Sequence, residues 1–218
     1  LAPLAVAAYS YMSLVPIIQP PVIKALTTKE ERSIIMPKKA DVQVSRKVRI
    51  SFPIVVTIIA GIIAPISVAL IGMLMFGNLL RECGVVERLS KSAQEELANL
   101  VTLLLGITIG STMLAGDFLN VKTLMVMGMG ILAFVFDTAG GVLFAKGLNL
   151  FLKQKINPMI GACGISAFPM SARVIAKMAL AENKRNYLIM HAIGANVSGQ
   201  IGSIIAGGII LAMVAGML

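Results

Sequence analysis

Largely apolar runs of transmembrane length alternate with short polar segments along this chain. Residues 97–114 and 124–145 are each long enough to cross a bilayer as a helix. Residues 52–80 are also apolar but are interrupted by Gly61 and Pro65, which predicts two shorter helices joined by a tight turn. The pattern is typical of a helical protein with several membrane spans.

The same pattern divides the chain into segments. The prolines of the first segment, with Pro20 and Pro21 near its end, predict a span that breaks there. The predicted order is a transmembrane segment at 1–26, a cytoplasmic loop at 27–49, transmembrane helices at 50–156, a re-entrant or broken-helix hairpin at 157–180, and a C-terminal transmembrane segment at 187–218.

Composition excludes a soluble domain. Of the 218 residues, 57% are hydrophobic and only 13% are charged, and the mean hydropathy is +0.90. The two cysteines, Cys83 and Cys163, have no metal-ligand spacing, so neither a zinc site nor a disulfide framework is indicated. We therefore expect an all-α integral membrane protein embedded in a lipid bilayer.

The net charge of +9 reflects membrane topology. Most of the 19 Lys and Arg residues fall in the segments 24–49, 81–91 and 146–155, which lie between apolar runs. By the positive-inside rule these segments are cytoplasmic. A role in binding nucleic acid is not predicted, and no phosphate-binding loop or nucleophile triad is present.

The stretch INPMIGACGISAFPMSARV, residues 156–174, is poorly suited to a plain membrane helix. It combines asparagine, glycines, prolines, serines and an arginine, which stop a helix and leave backbone groups unpaired. Hydrocarbon tolerates unpaired backbone only around a polar cavity, and broken helices are a common way for transporters to build ion sites. A transporter-like fold with an interrupted segment is therefore predicted.

Oxygen atoms in and near this stretch are candidate ligands of a small hard cation such as Na⁺. They belong to Asn157, Ser166 and Asn196, and to backbone carbonyls near Gly161 and Gly164. An equally good interpretation is that the glycines permit close helix packing and the polar side chains cap helix ends.

Three further side chains have two interpretations each. Arg173 can clamp a carboxylate in a bidentate fork or extend to the membrane interface. Asp137, expected as a buried acid, can carry a proton, face a cation or pair with a neighbouring helix. Tyr11 can line an ion or proton path or serve as an interfacial anchor.

Five stretches together resemble the beta subunit of the biotin-dependent sodium-pumping decarboxylases, a family that acts on oxaloacetate, glutaconyl-CoA or methylmalonyl-CoA. They are AAYSYMSLVPIIQPP, FPIVVTIIAG, GNLLRECGVVERLS, INPMIGACGISAFPMSARV and MHAIGANVSG. The resemblance covers almost the whole chain and corresponds to the C-terminal portion of the family. In one respect the chain departs from the family, because an aspartate that the family uses in an earlier membrane segment would precede Leu1. Either the chain lacks one half of an inverted-repeat transporter, or that half is supplied outside this sequence.

The resemblance also implies a function and a site. The family subunit receives carboxybiotin from a partner, releases CO₂ with uptake of a proton, and couples this to sodium export. The resemblance places Asn157, Gly161, Ser166 and Arg173 on the sodium and carboxybiotin path, with Na⁺ at Asn157 and Ser166, and identifies Tyr11 with the tyrosine of the YSYMS motif.

The implied cofactors are Na⁺ and a biotin carried on a partner. The implied partners are biotin-carrier and carboxyltransferase subunits, a small membrane-anchored gamma or delta subunit, and further copies of the chain, in the inner (plasma) membrane. The alternatives are a secondary sodium or proton transporter without an enzymatic step, and a membrane scaffold, which leaves Arg173 and Asp137 unexplained.

Overall fold

The computed structural model describes residues 2–36, 44–111, 120–165 and 170–216, and the side chains of the first helix from Ser13 onward. Regular structure in these ranges is helical and includes no strand, which confirms the all-α prediction. The helices in chain order are α1 (Ala2–Leu26), α2 (Lys29–Arg32), α3 (Arg46–Ile63), α4 (Val68–Cys83), α5 (Glu87–Ser92), α6 (Ala98–Ser111), α7 (Val121–Phe151), α8 (Met170–Glu182) and α9 (Ile189–Ala215). Short 3₁₀ helices form at Pro65–Ser67 and Pro158–Cys163, and a π-helical turn at Ala93–Leu97 joins α5 to α6.

The chain divides into two compact units. The first contains residues Leu1–Lys38 and Ile109–Gln200, and the second contains Lys39–Thr108 and Ile201–Leu218. The interrupted stretch lies in the first unit, together with α1, α7 and α8.

The first unit is built around the 3₁₀ helix Pro158–Cys163. This helix packs against α7, which also runs along α1, and α8 packs against α1. The core that these elements share consists of fully buried side chains, among them Ile23, Val142, Met159, Ala162, Cys163, Ala172, Ile175 and Leu188. The interrupted stretch is therefore an internal element of this unit.

The prediction that the first span breaks near its end is wrong. Helix α1 continues through Pro16, Pro20 and Pro21 to Leu26, although each proline removes one intrahelical hydrogen bond. Val15, Gln19 and Ile23 lie at helical spacing and are completely buried. Packing of this face against the rest of the unit offsets the missing hydrogen bonds.

The second unit confirms the predicted break near Pro65. Helix α3 ends at Ile63, the 3₁₀ helix Pro65–Ser67 follows, and α4 returns antiparallel to pack on α3. The Ser67 hydroxyl donates to the carbonyl of Ile204 at 2.8 Å, which ties this turn to α9 within the unit.

The outer surface of many helices is apolar. In α6, exposed side chains include Leu100, Leu103, Leu104 and Ile107, a pattern that suits contact with lipid. Among the described residues, three helical stretches are long and apolar enough to cross a membrane, at Pro65–Cys83, Val121–Phe151 and Ile189–Ala215. The chain is an integral membrane protein of helical type.

A capping box begins α2 in the polar loop after α1. The Thr28 hydroxyl accepts from Glu31 N–H, and the Glu31 carboxylate accepts from Thr28 N–H at 2.8 Å. Glu31 also pairs with Lys146 at 3.1 Å. Burial raises the pKa of Glu31, but the hydrogen bond from Thr28 N–H and the Lys146 ammonium outweigh burial and hold the pKa below its ordinary value.

A carboxyl with a lowered folded-state pKa stabilises the fold above its unfolded-state pKa, and that contribution is lost as the pH falls through the folded-state value. We expect Glu31→Gln to lower the free energy of unfolding at pH 7 by up to about 1 kcal/mol, since the pair is partly exposed. The difference from the native chain should be smaller at about pH 3, below the ordinary glutamate pKa of about 4.3, and it is lost completely only below the lowered folded-state pKa. Thermal unfolding in detergent at both pH values measures this, and an equal difference at both would contradict the assignment.

Candidate functional site

The stretch predicted to interrupt a helix does so. The 3₁₀ helix Pro158–Cys163 ends at Gly164, Ile165 is not helical, and the described part of α8 runs from Met170 to Glu182. The sequence explains the start of the 3₁₀ helix, because Asn157 is its N-cap and accepts from Met159 N–H at 3.1 Å, while Pro158 lacks the N–H that would be unpaired there.

Side-chain donors from other helices satisfy the carbonyls at the end of this 3₁₀ helix. The carbonyl of Ala162 accepts from Gln19 Nε2 at 2.9 Å and from the Ser171 hydroxyl at 3.0 Å. The carbonyls of Cys163 and Ile165 both accept from Asn196 Nδ2, each at 2.8 Å. These carbonyls are held at fixed positions by α1, α8 and α9.

Asn196 of α9 holds two backbone carbonyls at the end of the 3₁₀ helix. It is completely buried, and its Oδ1 atom has no hydrogen-bond donor among the described residues. A carbonyl oxygen has two lone pairs, so after accepting from Asn196 the carbonyls of Cys163 and Ile165 each have one lone pair with no side-chain donor among the described residues. Three neutral oxygens with spare acceptor capacity therefore lie around one buried amide.

Neutral oxygen ligands suit a monovalent cation better than a divalent metal ion. In the part of the chain that the structure describes, no three His, Cys, Asp or Glu side chains are grouped in a way that could hold a metal ion. Carbonyl and amide oxygens replace the hydration shell of an alkali cation without adding a buried formal charge. The arrangement around Asn196 is chemically suited to such an ion.

Asn157 lies at the opposite end of the 3₁₀ helix from Asn196. Its Nδ2 donates to the carbonyls of Arg32 and Ile34 at 2.7 and 3.0 Å, so its amide is tied to the polar loop after α1. At about 2.0 Å rise per residue, the helix separates the two asparagines by roughly 12 Å. The two predicted ligands share no hydrogen-bond partner in the described part of the chain.

The polar loop is anchored to both sides of the interruption. The carbonyl of Arg32 accepts from Asn157 and also from Asn186 Nδ2 at 3.1 Å. The Arg32 guanidinium bonds Glu182 of α8 at 2.7 Å, and both side chains are largely buried, with 12% and 17% exposed. This loop therefore fixes the entry to the interrupted stretch.

Gly161 lies where the 3₁₀ helix packs closely against α7. Cβ atoms added at Gly161 and Gly141 would each lie within about 2.3 Å of the other residue's carbonyl oxygen. Backbone meets backbone at this contact between the 3₁₀ helix and α7, so neither position has room for a side chain. This geometry favours the packing interpretation of Gly161 over the ligand interpretation.

The remaining predicted residues do not meet the Asn196 cluster in the described structure. Arg173 is exposed on α8 and makes no ion pair with any described residue. Asp137 lies on the outer face of α7, in a candidate membrane span and one position before the buried Thr138, so its role as a proton or charge partner stays a prediction. Ser166 and the side chain of Tyr11 lie outside the described residues.

Sequence reasoning missed Gln19 and Ser171. Both are completely buried and bonded to each other, with Gln19 Nε2 2.8 Å from Ser171 Oγ. A glutamine on the same helical face as Val15 and Ile23, in a segment of transmembrane length, is the signal that could have identified the first of them.

A cleft with several charged side chains on its wall lies beside the start of the interrupted stretch. It has a volume of about 580 Å³, in the range of small-molecule sites, and its wall includes Glu31, Lys146, Asn149 and Lys155. The amide of Asn149 bonds the backbone N–H and C=O of Ile156, both at 2.8 Å. A wall residue of the cleft, Asn149, is therefore hydrogen-bonded to the residue that precedes Asn157.

Comparison with known proteins agrees with this architecture. Residues 1–214 match the family model described as the Na⁺-transporting oxaloacetate decarboxylase beta subunit. The probable oxaloacetate decarboxylase beta chain of Vibrio cholerae is 50% identical over 216 residues, which cover 99% of this chain and 49% of that protein. The oxaloacetate decarboxylase beta chain of Klebsiella pneumoniae is 49% identical, with coverage of 100% and 50%.

The methylmalonyl-CoA decarboxylase subunit beta of Propionigenium modestum is 50% identical over 213 residues, which cover 98% of this chain and 53% of that protein. The chain thus spans about half the length of the curated relatives it matches. Relatives that act on oxaloacetate and on methylmalonyl-CoA are equally similar to it. On the family match over residues 1–214, the chain belongs to the family of sodium-transporting oxaloacetate decarboxylase beta subunits.

Proposed function

We propose that the chain forms part of the membrane subunit of a sodium-translocating decarboxylase, which decarboxylates carboxybiotin presented by a partner and exports Na⁺ with uptake of a proton. Family membership supports the general activity. The proposed partners are a biotin carrier, a carboxyltransferase subunit, a small membrane-anchored gamma or delta subunit and further copies of this chain, assembled in the inner membrane.

One observation carries the sodium part of the proposal. Among the described residues, the buried Oδ1 of Asn196 has no donor, and the carbonyls of Cys163 and Ile165, which bind Nδ2 of the same amide, each have one lone pair without a donor. An oxygen that is buried without a partner is costly unless a ligand satisfies it. Na⁺, a hard cation that binds carbonyl oxygens, is the ligand that fits the family and these atoms.

The sodium path extends from this cluster toward the polar loop. Asn157 Oδ1 keeps one lone pair after accepting from Met159 N–H, so Asn157 offers an oxygen at the loop end of the path. Ser166, which the resemblance assigns to Na⁺, belongs to the segment between the two asparagines. Gly161 serves the path by allowing the 3₁₀ helix to approach α7.

Decarboxylation itself needs an anion clamp and a proton. The C–N bond of carboxybiotin breaks, CO₂ leaves, and the electron pair that stays on the biotin nitrogen takes up one proton. Arg173 is assigned to orient the carboxylate by a bidentate contact, for which its guanidinium has no competing acidic partner in the described part of the chain. Tyr11 is assigned to the proton path, and Asp137 to a charge partner on α7.

Coupling follows from charge. Sodium and carboxybiotin compete for, or alternately occupy, the polar cavity. One positive charge in a poorly solvated space strongly disfavours a second, so Na⁺ and the proton that biotin takes up do not occupy the cavity together. Loss of CO₂ and protonation of biotin change the charge of the cavity and shift the balance between inward-open and outward-open states.

Asn196→Leu tests the sodium site directly. The substitution removes an oxygen ligand and the amide that holds two carbonyls, so we expect the sodium concentration for half-maximal decarboxylation to rise at least about tenfold. Sodium-dependent decarboxylation by the complex isolated with this subunit measures it. The matched control is Asn99→Leu, an exposed asparagine of α6, which should leave the sodium dependence unchanged. An unchanged dependence in Asn196→Leu would remove this residue from the site.

A second experiment separates the pump from a secondary sodium or proton transporter. A biotinylated protein that co-purifies with the chain, together with decarboxylation that requires sodium, supports the pump. Sodium flux driven by an ion gradient alone, without a biotinylated partner, would support the secondary transporter instead.

A further inference from the structure

Gln19 of α1 joins the two sides of the interrupted stretch. Its Nε2 atom lies 2.9 Å from the carbonyl oxygen of Ala162, near the end of the 3₁₀ helix, and 2.8 Å from the hydroxyl of Ser171, in the first turn of α8. One carboxamide thus binds both flanks of the break from a third helix. No other side chain in the described structure bonds to residues on both flanks, Ala162 and Ser171, in this way.

The surroundings of Gln19 are apolar, which indicates that a carboxamide occupies this position because of the hydrogen bonds it makes. Gln19 is completely buried between Val15 and Ile23, which lie one turn before and after it on the same face of α1. Burying a carboxamide in such surroundings is unfavourable unless its donors and acceptor are satisfied. Leucine would fill a similar volume at this position without that cost.

Gln19 determines which carbonyls remain available to an ion. Ala162 O accepts from both Gln19 and Ser171, so both of its lone pairs are occupied. Cys163 O, the next carbonyl, accepts a side-chain bond from Asn196 and from no other side chain in the part of the chain that the structure describes, so one lone pair has no side-chain donor there. Fixing the Ala162 carbonyl fixes the peptide plane that precedes Cys163. The direction of the Cys163 carbonyl then varies only with the φ and ψ angles of Cys163, which the 3₁₀ helix and the bond from Asn196 restrict.

We propose that Gln19 is a positioning residue that sets the geometry of the sodium site from α1. It acts through the Ala162 carbonyl and contacts neither the ion nor carboxybiotin. This inference rests on the proposed function, and it makes α1 part of the machinery that determines sodium affinity.

Gln19→Leu is the principal test. We expect the sodium concentration for half-maximal decarboxylation to rise about tenfold, while the rate at saturating sodium changes by less than about threefold, because the variant displaces ligands without removing one. Ser171→Ala removes one of the two donors to Ala162 O and should raise the same concentration by about threefold. The control is Gln94→Leu, since among the described residues the Gln94 amide bonds Ser90, one helical turn earlier, and no other residue.

The outcomes are distinguishable. If Gln19→Leu does not accumulate in the membrane, Ser171→Ala decides the question alone. Wild-type sodium dependence in the variants that do accumulate would overturn the positioning role, even if Asn196→Leu still raises the sodium requirement. Decarboxylation by the unmodified complex that does not respond to sodium would instead contradict the proposed function itself.

Discussion

Replacing Gly141 with alanine is expected to prevent α7 from packing against the 3₁₀ helix and to lower the free energy of unfolding by at least about 3 kcal/mol, the upper end of overpacking effects. The added Cβ would lie 2.3 Å from the carbonyl oxygen of Gly161 and 2.9 Å from its carbonyl carbon. Both atoms belong to backbone, so no side-chain rotation can relieve the contact. Gly161→Ala places its Cβ even closer to the Gly141 carbonyl and should have at least the same effect.

The neighbouring glycine provides a matched control. A Cβ at Gly140 meets no described atom within 4 Å, although the residue lies in the same helix and precedes Gly141 directly. Gly140→Ala should therefore change stability by no more than about 1 kcal/mol, in either direction. Thermal unfolding in detergent and the yield of folded protein compare the pair. Equal stability of Gly140→Ala and Gly141→Ala would show that the close contact is absent.

This result bears on how Gly161 variants are interpreted. The resemblance places Gly161 on the ion path, and its substitution would abolish activity under either interpretation. Because Gly141 has no assigned role in binding and forms the other half of the contact, a matching loss in Gly141→Ala would attribute the effect to packing. The sodium requirement of residual activity then remains the measurement that identifies ligands.

Local signals in the sequence predicted where helices stop. Asn157 before Pro158 marks the start of the 3₁₀ helix, and Pro65 marks the turn between α3 and α4, because both features act within one helical turn. The prolines of α1 gave the wrong result, since long-range packing of Val15 and Ile23 outweighs the local loss of hydrogen bonds. Local sequence patterns do not show which side chains will be buried against segments far away in the chain.

The candidate site was predictable in composition but not in its connections. The asparagines and the broken stretch follow from residue types that are costly at membrane depth. Their partners do not follow, because Gln19 bonds a residue 143 positions away and Asn157 bonds Arg32 across 125 positions. A single sequence holds no information on which of several buried carboxamides bonds which carbonyl. That choice of partner is what distinguishes Asn157, whose amide is bonded to the polar loop, from Asn196, whose Oδ1 has no donor among the described residues.

Arg32→Met is expected to destabilise the first unit by about 3 to 5 kcal/mol, the usual cost of leaving one member of a buried ion pair without its partner. Glu182 would remain only 17% exposed and would lose the guanidinium 2.7 Å away. The variant also loses the bond from Arg32 Nη1 to the Thr27 carbonyl at 2.6 Å. The backbone carbonyl of residue 32, which binds Asn157 and Asn186, would then be held less firmly.

Two comparisons show whether the loss of stability in Arg32→Met comes from breaking the ion pair with Glu182. In the double variant Arg32→Met, Glu182→Leu no charge is left buried alone, so most of the lost stability should return. Lys146→Met breaks a pair whose side chains are 34% and 27% exposed, and it should cost less than about 1 kcal/mol because water screens that pair. Thermal unfolding of the four proteins in one detergent gives the values. If the double variant is as unstable as Arg32→Met alone, the loss comes from the loop contacts of Arg32, and the anchoring of Asn157 depends on the bond to Thr27 more than on Glu182.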